Sequence, residues 1–203
     1  MAVIVNPNYK PATEYRLALE ANLKASMEKT GETLNRIERM KISEKIAEDA
    51  VKSLLKPIDG RFIDANKLKV NQPGYDFLID DSLRVQVKGI SFVECLQWTH
   101  KCNDPSLACL AYDVIVIVDI GVAIKKDFGR LAKYNIETKD TVDFYIIPKE
   151  EVLNHLTTCR ENKMGKVIYW YKRELNQEHK EYKMQYFNLP NYKNNFDILN
   201  NLL

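Results

Sequence analysis

Long apolar runs are missing from this sequence, and glycine, proline and cysteine are all scarce. Seven glycines and seven prolines among 203 residues are too few for a collagen-like or low-complexity disordered chain. Apolar runs such as Val114–Val118 are far too short to cross a bilayer, and Met1–Val5 has neither the basic flank nor the cleavage site of a signal peptide. We therefore expect a cytoplasmic protein that has no membrane partner.

The spacing of the cysteines and glycines argues against several cofactor sites. No two of the four cysteines stand in a Cys-x-x-Cys pair, which disfavours a redox motif and disfavours zinc at Cys95, His100, Cys102 and Cys109. In a reducing cytoplasm we expect these cysteines and Cys159 to be free thiols rather than disulfides. The glycines are scattered and form no phosphate-binding loop, so we expect no nucleotide cofactor.

The charges of the chain are nearly balanced. Thirty lysines and arginines against 28 aspartates and glutamates give a formal net charge of +2, which excludes a uniformly basic protein of the histone kind. Binding to nucleic acid would therefore depend on local basic patches. The hydrophobic fraction of 45% and the charged fraction of 29% are typical of a globular domain with a hydrophobic core.

Helices are predicted at the beginning of the chain and strands through its middle. Residues 13–40 are rich in helix formers, and a second helix is predicted with Ser43 as its N-cap and Pro57 beyond its end. Short helices are predicted to begin at Pro148, with that proline at the first helical position, and to lie at 195–202. Segments typical of strands lie at 76–79, 83–88, 112–119, 142–147, 166–171 and 182–187.

This order of elements predicts an α/β fold with a mixed central β-sheet flanked by helices. The run 112–119 is continuously β-branched at its centre, which is typical of a strand buried on both faces of a sheet. We expect one domain over residues 1–203, with a helical N-terminal segment at 1–41, a core at 42–155, and C-terminal strands and a helix at 156–203.

A hairpin near residue 80 brings polar residues onto one face. If Asp80-Asp81-Ser82 is a three-residue turn, Ile79 pairs with Leu83, and counting outward places Asp76 opposite Gln86. Lys88, two residues further along, shares the face of Gln86. The alternating residues are apolar and are predicted to pack on the opposite face; they are Phe77, Ile79, Val85 and Val87.

The three polar residues form a plausible reaction centre. Asp76 offers a carboxylate to a hard divalent cation, and Gln86 and the main-chain carbonyl of Val87 offer neutral oxygen ligands. Lys88 is placed to position or deprotonate a water, or to neutralise charge that builds on a phosphate. Mg²⁺ suits so sparse a set of ligands. The alternative is an ordinary solvated strand face that carries Asp, Gln and Lys by chance.

The segments Pro73-Gly74-Tyr75-Asp76 and Gln86-Val87-Lys88 resemble the PD-(D/E)XK nuclease superfamily. That superfamily includes type II restriction endonucleases, Holliday-junction resolvases and transposon-end nucleases, and the resemblance covers residues 42–155. Two features depart from its usual pattern: Gly74 and Tyr75 separate Pro73 from Asp76, and Gln86 stands where Glu or Asp is usual. Glutamine occurs at that position in some active members.

The resemblance implies a restriction endonuclease-like core and a sequence-specific endodeoxyribonuclease of the type II restriction class. It would use Mg²⁺, with Mn²⁺ as a possible substitute, cut double-stranded DNA to leave a 5′-phosphate, and act as a homodimer. The catalytic residues would be Asp76, Gln86, Lys88 and Glu48. The metal would be held by Asp76, Gln86, Val87 and Glu48, with Glu44 as the alternative to Glu48 on the helix before the hairpin.

Local surpluses of basic residues are the candidates for DNA contacts. They stand close to aromatic residues in the second half of the chain, and Trp98 and His100 follow the hairpin closely. Taken alone, each basic cluster also fits an ordinary solvated surface, and Trp98 also fits a residue that covers the hydrophobic core. The candidates are Lys125, Lys126, Arg130, Lys133, Lys172, Arg173, Trp98 and His100.

Three other functions stay open from the sequence. One is a structure-specific nuclease of recombination, repair or transposition, such as a transposon-end nuclease. The second is a homing-type nuclease with a long recognition site. The third is a catalytically inactive DNA-binding module on the same fold, which the glutamine at position 86 makes conceivable.

Overall fold

A computed structural model provides the fold. It describes residues 10, 13–14, 17–18, 21, 32–55, 62–65, 74–90, 95–100, 110–120, 122–126, 134–138, 141–159, 161–162, 165–171 and 186–202. The helices are α1 (Glu32–Leu54), α2 (Lys149–Thr158) and α3 (Asp197–Leu202), with a short 3-10 helix at Leu189–Tyr192. The strands are β1 (Phe62–Asp64), β2 (Phe77–Ile79), β3 (Leu83–Ile90), β4 (Cys95–His100), β5 (Val114–Asp119), β6 (Val122–Lys126), β7 (Tyr134–Thr138), β8 (Asp143–Pro148), β9 (Glu161–Asn162), β10 (Gly165–Tyr171) and β11 (Tyr186–Asn188).

The largest sheet has five strands in the order β1-β2-β3-β5-β8. Strands β3 and β5 are parallel, whereas the other neighbouring pairs are antiparallel. A second sheet has the order β11-β10-β4, with β9 beside β10, and β6 and β7 form a separate antiparallel pair. The predicted α/β fold, with a mixed sheet flanked by helices, is therefore confirmed.

Strand β5 is the centre of the hydrophobic core. All six of its residues are buried, which confirms the prediction from its β-branched run and reflects the cover on both faces of the sheet. On one face the core includes side chains from α1 and Leu199 of α3. On the other face it includes Val152 and Leu156 of α2 and Ile168 and Trp170 of β10.

An ion pair fixes the beginning of β3 against the beginning of β5. The guanidinium of Arg84 donates through Nη2 to Asp113 Oδ1 at 2.7 Å and through Nε to Asp113 Oδ2 at 2.9 Å. The main-chain N–H of Arg84 donates to the same Oδ2 at 2.9 Å. A two-pronged contact of this kind holds its geometry better than a single bond. It sets the register in which β3 runs beside β5.

Helix α1 differs from the prediction at its beginning. Ser43 is not an N-cap but an interior residue of a helix that begins at Glu32, so the expected boundary between residues 41 and 42 falls inside one helix. Residues 32–42 contain neither glycine nor proline, and nothing interrupts the helical hydrogen bonding before Ser43. The predicted end ahead of Pro57 is confirmed, because α1 ends at Leu54.

The strand predictions are confirmed at the described parts of 76–79, 83–88, 112–119, 142–147, 166–171 and 182–187, with bounds that shift by a few residues. Pro148 closes β8 and caps α2 instead of opening it, while α3 confirms the helix predicted at 195–202. Strands β1, β4, β6, β7 and β9 were not predicted. No helix in the described ranges is both long enough and apolar enough to span a membrane.

Helix α1 lies very close to β3 at Gly89. A Cβ atom added to Gly89 would lie 2.8 Å from the main-chain oxygen of Ser43 and 3.3 Å from the Cβ of Ala47. Ser43 is small and only 5% exposed, so the helix backbone itself forms the contact. The helix that bears Glu48 is therefore held at a fixed distance from the strand that bears Gln86 and Lys88.

We predict that Gly89→Ala lowers the free energy of unfolding by about 1–3 kcal/mol, because the added methyl group meets helix backbone that cannot turn away. Thermal melts followed by circular dichroism measure the change. Ser82→Ala, in the exposed turn before the same strand, serves as the control and should stay within about 0.5 kcal/mol of the parent. Equal melting temperatures for Gly89→Ala and the parent would contradict the close contact.

Candidate active site

The hairpin between β2 and β3 has the register that the sequence predicts. Ile79 pairs with Leu83 and Phe77 pairs with Val85, so the turn consists of Asp80, Asp81 and Ser82. Asp80 and Asp81 have positive φ angles of 49° and 55°, a left-handed conformation that aspartate adopts more readily than most residues. The turn thus fixes the register, and the register brings Asp76 to Gln86.

Beyond the last pair of the hairpin, Phe77 and Val85, side chains bond to the main-chain groups of β3 that point toward β2. Successive residues of a strand direct their main-chain groups to alternate neighbours, so Val85 and Val87 both direct theirs toward β2. The N–H of Asp76 donates to the oxygen of Val85 at 2.8 Å. The N–H of Val87 donates to the Asp76 carboxylate, Oδ2, at 2.7 Å, and the Val87 oxygen accepts from Gln86 Nε2 at 3.2 Å. We call this place the open edge of β3.

Asp76 and Gln86 also bond to each other at the open edge. The Gln86 amide nitrogen, Nε2, donates to Asp76 Oδ2 at 2.5 Å. The predicted meeting of these two side chains is thus present, and Gln86 is only 6% exposed. A buried amide requires hydrogen-bond partners, and these are the two groups that supply them.

The apolar residues of the hairpin β2–β3 share one face, as the sequence predicts. Phe77, Ile79, Val85 and Val87 are all buried in the core beneath α1. Lys88 is two residues beyond Gln86, so it shares that residue's face of the strand. It is half-buried and lies beside Ile117 in the register between β3 and β5.

Helix α1 brings Glu48 into the charged surroundings of Asp76. Glu48 is half-buried, and desolvation, followed by repulsion from Asp76 and Glu44, raises its pKa to about 7. Lys52 lowers this pKa and Asp64 raises it. The structure therefore associates the predicted Glu48 with Asp76, while Glu44, one turn earlier, is exposed.

Two residues of this charged cluster were missed by the sequence analysis. Lys52 Nζ lies 3.0 Å from Asp64 Oδ2 and 5.6 Å from the centre of the Phe77 ring. Asp64 is the last residue of β1, and the N–H of Ala65 donates to the main-chain oxygen of Asp76 at 2.9 Å. The available signal was the spacing of Glu48 and Lys52, four residues apart on one helix face.

The candidate DNA contacts lie elsewhere in the chain. Lys125 and Lys126 belong to β6, opposite Asn135 and Tyr134 of β7. On β4, Trp98 lies opposite Ile168 and His100 opposite Lys166 of β10. The remaining candidates lie outside the described residues; they are Arg130, Lys133, Lys172 and Arg173.

Two of the four cysteines, Cys95 and Cys159, lie in the described part of the chain. Cys159 is a buried free thiol, as predicted, and burial raises its pKa to about 11. Such a thiol is unreactive at neutral pH because the thiolate is the nucleophile. Cys95 belongs to β4, and Cys102 and Cys109 lie outside the described residues.

The oxygen atoms at the open edge fit Mg²⁺ in kind. Within the described ranges, no three His, Cys, Asp or Glu side chains form a group that could hold a metal ion. The open edge instead combines oxygens of the Asp76 carboxylate and of the Val87 carbonyl, with the Gln86 amide nitrogen bonded to both. Mg²⁺ is usually bound by one or two carboxylates together with substrate phosphates and waters. Asp76, with Glu48 as a second carboxylate, meets that requirement.

No family model matches this chain, and searches among curated proteins and among solved structures found no match either.

We predict that Glu48→Gln stabilises the protein at pH 8 by about 1 kcal/mol, or ~2–4 °C in melting temperature, after allowance for solvent screening. The folded pKa of about 7 lies above the ordinary 4.5, so the ionised carboxylate destabilises the folded state above pH 7. Below its ordinary pKa, Glu48 is protonated in both the folded and the unfolded state and does not destabilise the fold. The stability of the folded state relative to this condition is lost as the pH rises through 7.

Melts of parent and variant between pH 4 and pH 8.5 measure this effect. Glu44→Gln, one turn earlier on the same helix, is the matched control and should change stability less, because that side chain is exposed. A gain for Glu48→Gln that is equally large at pH 4 and pH 8 would show that charge is not its cause.

Proposed function

We propose that this protein is a Mg²⁺-dependent endodeoxyribonuclease that cuts double-stranded DNA at a specific sequence, as type II restriction enzymes do. The observation that carries the proposal is the junction of Asp76, Gln86 and Val87 at the open edge of β3. Lys88 follows on the same face of the same strand, and Glu48 approaches Asp76 from α1. This is the set of residue types that the resemblance to PD-(D/E)XK nucleases implies.

The cost of this cluster supports a catalytic role. Charged and amide groups lie at the margin of a sheet whose two faces carry hydrophobic cores. Burying such groups is unfavourable unless each is paired, and Glu48 is half-buried near the like charge of Asp76. The raised pKa of Glu48 is a second sign, because groups with perturbed pKa values concentrate at functional sites.

Each residue has a defined task in phosphodiester hydrolysis. Asp76, Glu48, the Gln86 amide and the Val87 carbonyl would hold the divalent cation. When bound, that cation supplies charge stabilisation to the phosphate. Lys88, as an ammonium, would orient the attacking water, and its charge would offset the negative charge that builds on the phosphate oxygens. The water would lose its proton to solvent, and the departing 3′ oxygen would take up a proton from solvent. The new P–O bond forms in line as the bond to the 3′ oxygen breaks, which leaves a 5′-phosphate.

Cleavage of a duplex requires two catalytic events on antiparallel strands. A second copy of the chain, related by two-fold symmetry, supplies the second active site most simply. We therefore include a homodimer in the proposal. Lys125 and Lys126 are the described basic candidates for phosphate contacts, and such contacts make affinity depend steeply on salt.

We predict that the purified protein cuts plasmid and long linear DNA into discrete fragments with Mg²⁺ and not with EDTA. Asp76→Asn and Lys88→Ala should each reduce the cleavage rate by about 10²-fold or more, since each removes charge at the reacting phosphate. The matched control is Lys193→Ala. Its ammonium lies 3.0 Å from Asp143 beside the edge strand β8, so its cleavage rate should equal that of the parent.

Other results would select other functions or refute the assignment. Unchanged cleavage by Asp76→Asn or Lys88→Ala would refute the proposed site. Cutting of branched but not linear DNA would indicate a recombination, repair or transposon-end nuclease, and a very long recognition site would indicate a homing-type enzyme. Salt-sensitive binding without any cutting would indicate an inactive DNA-binding module.

A further inference from the structure

The Gln86 amide is turned opposite to the orientation that a metal ligand requires. Its nitrogen, not its oxygen, faces Asp76 Oδ2 at 2.5 Å and the Val87 oxygen at 3.2 Å. An amide nitrogen carries two protons, which is enough for one hydrogen bond to each of these oxygens. The amide therefore joins the two groups that, with its own oxygen, form the predicted set of metal ligands.

We infer that Gln86 is a built-in substitute for the cation, whose NH₂ group bridges Asp76 and Val87 in the metal-free protein and turns away when a divalent cation binds. This inference rests on the proposed function, because it concerns the same metal site. It assigns to Gln86 a positioning role that a glutamate at this place would not have.

The chemistry of the three groups supports this role. Asp76 Oδ2 and the Val87 oxygen both lie within hydrogen-bond distance of one nitrogen, Gln86 Nε2, and two such acceptors repel unless a donor or a cation lies between them. The Gln86 NH₂ is the donor in this structure. A glutamate at position 86 would add a third acceptor and a second full negative charge, with no proton to share.

The same amide also explains how the site accepts a cation without rearranging the backbone. A half-turn about the Cγ–Cδ bond of glutamine exchanges the positions of its nitrogen and oxygen. The Asp76 carboxylate stays in place because the N–H of Val87 holds it at 2.7 Å. After that half-turn, three oxygens face one another, an arrangement that is favourable only with a cation between them.

Nuclear magnetic resonance of the ¹⁵N-labelled parent protein tests the inference directly. The side-chain NH₂ signals of Gln86 are identified by their loss in Gln86→Glu. In EDTA we expect two distinct, hydrogen-bonded signals, and Mg²⁺ should shift both strongly. A shift of the Val87 backbone signal while the Gln86 NH₂ signals stay unchanged would overturn the inference, because the cation would then bind without the amide turning.

Thermal melts of Gln86→Glu with EDTA and with Mg²⁺ provide a second, independent measurement. We expect a lower melting temperature than the parent in EDTA, a larger rise with Mg²⁺, and Mg²⁺ binding that is about tenfold tighter or more, since affinity increases with ligand charge. A variant that folds only with Mg²⁺ is the extreme form of this result. Equal stability of variant and parent in EDTA would overturn the inference.

The matched control is a second amide, Asn194, whose oxygen and not its nitrogen bonds to the main chain. Asn194 Oδ1 accepts the N–H of Phe144 at 3.0 Å, so Asn194→Asp keeps the acceptor and should melt like the parent with and without Mg²⁺. Mg²⁺-dependent cleavage with an unmoved Gln86 amide would overturn the inference alone. The absence of both cleavage and any Mg²⁺ response would overturn it together with the proposed function.

Discussion

Everything at this site depends on the fact that strand β3 is longer than its neighbour β2. Strand β2 has three residues and β3 has eight, so the main-chain groups of Val87 extend past the last backbone pair. Buried main-chain groups without partners are costly. Asp76 and Gln86 supply the missing partners with their side chains. The two residues that complete the hydrogen bonding of Val87 are therefore also two residues of the proposed metal site.

Several charged residues around the open edge together determine the pKa of Glu48. Asp76, Glu44 and Asp64 all raise the pKa of Glu48, and Lys52 lowers it. Lys52 is held at 3.0 Å from Asp64, so much of its positive charge is directed to that carboxylate. The cluster is consequently rich in negative charge near Asp76 and Glu48, an environment that attracts a divalent cation. The close contact at Gly89 maintains this arrangement of charges, because it fixes the distance between α1 and β3.

Local rules of sequence were sufficient for the hairpin, since a strand alternates its faces and a turn of known length sets the register. The pairing of Ile79 with Leu83 and of Phe77 with Val85 follows from those rules, and it brings the side chains of Asp76 and Gln86 within hydrogen-bond distance. Strand β5 is recognisable from its β-branched run. The close approach of Ser43 to Gly89 does not follow from the local rules, because the packing of a helix backbone against a glycine of a strand is a tertiary contact without a local signal. Asp64 was missed for a similar reason: β1 is only three residues long and its partner lies beyond a long connection.

The direction of the Gln86 amide cannot be predicted from sequence, and it changes the interpretation of Gln86, which stands where glutamate or aspartate is usual in the nuclease pattern that the sequence resembles. Glutamine and glutamate have nearly the same shape, so the pattern alone suggests only a weaker metal ligand. In the structure the difference is the pair of protons on Nε2, which satisfy two acceptors that already lie beside a carboxylate-rich cluster. A second carboxylate there would increase a repulsion that helps to raise the pKa of Glu48 to about 7. Glutamine at position 86 therefore reduces charge where the metal-free protein can least tolerate it, while keeping an oxygen that a half-turn makes available.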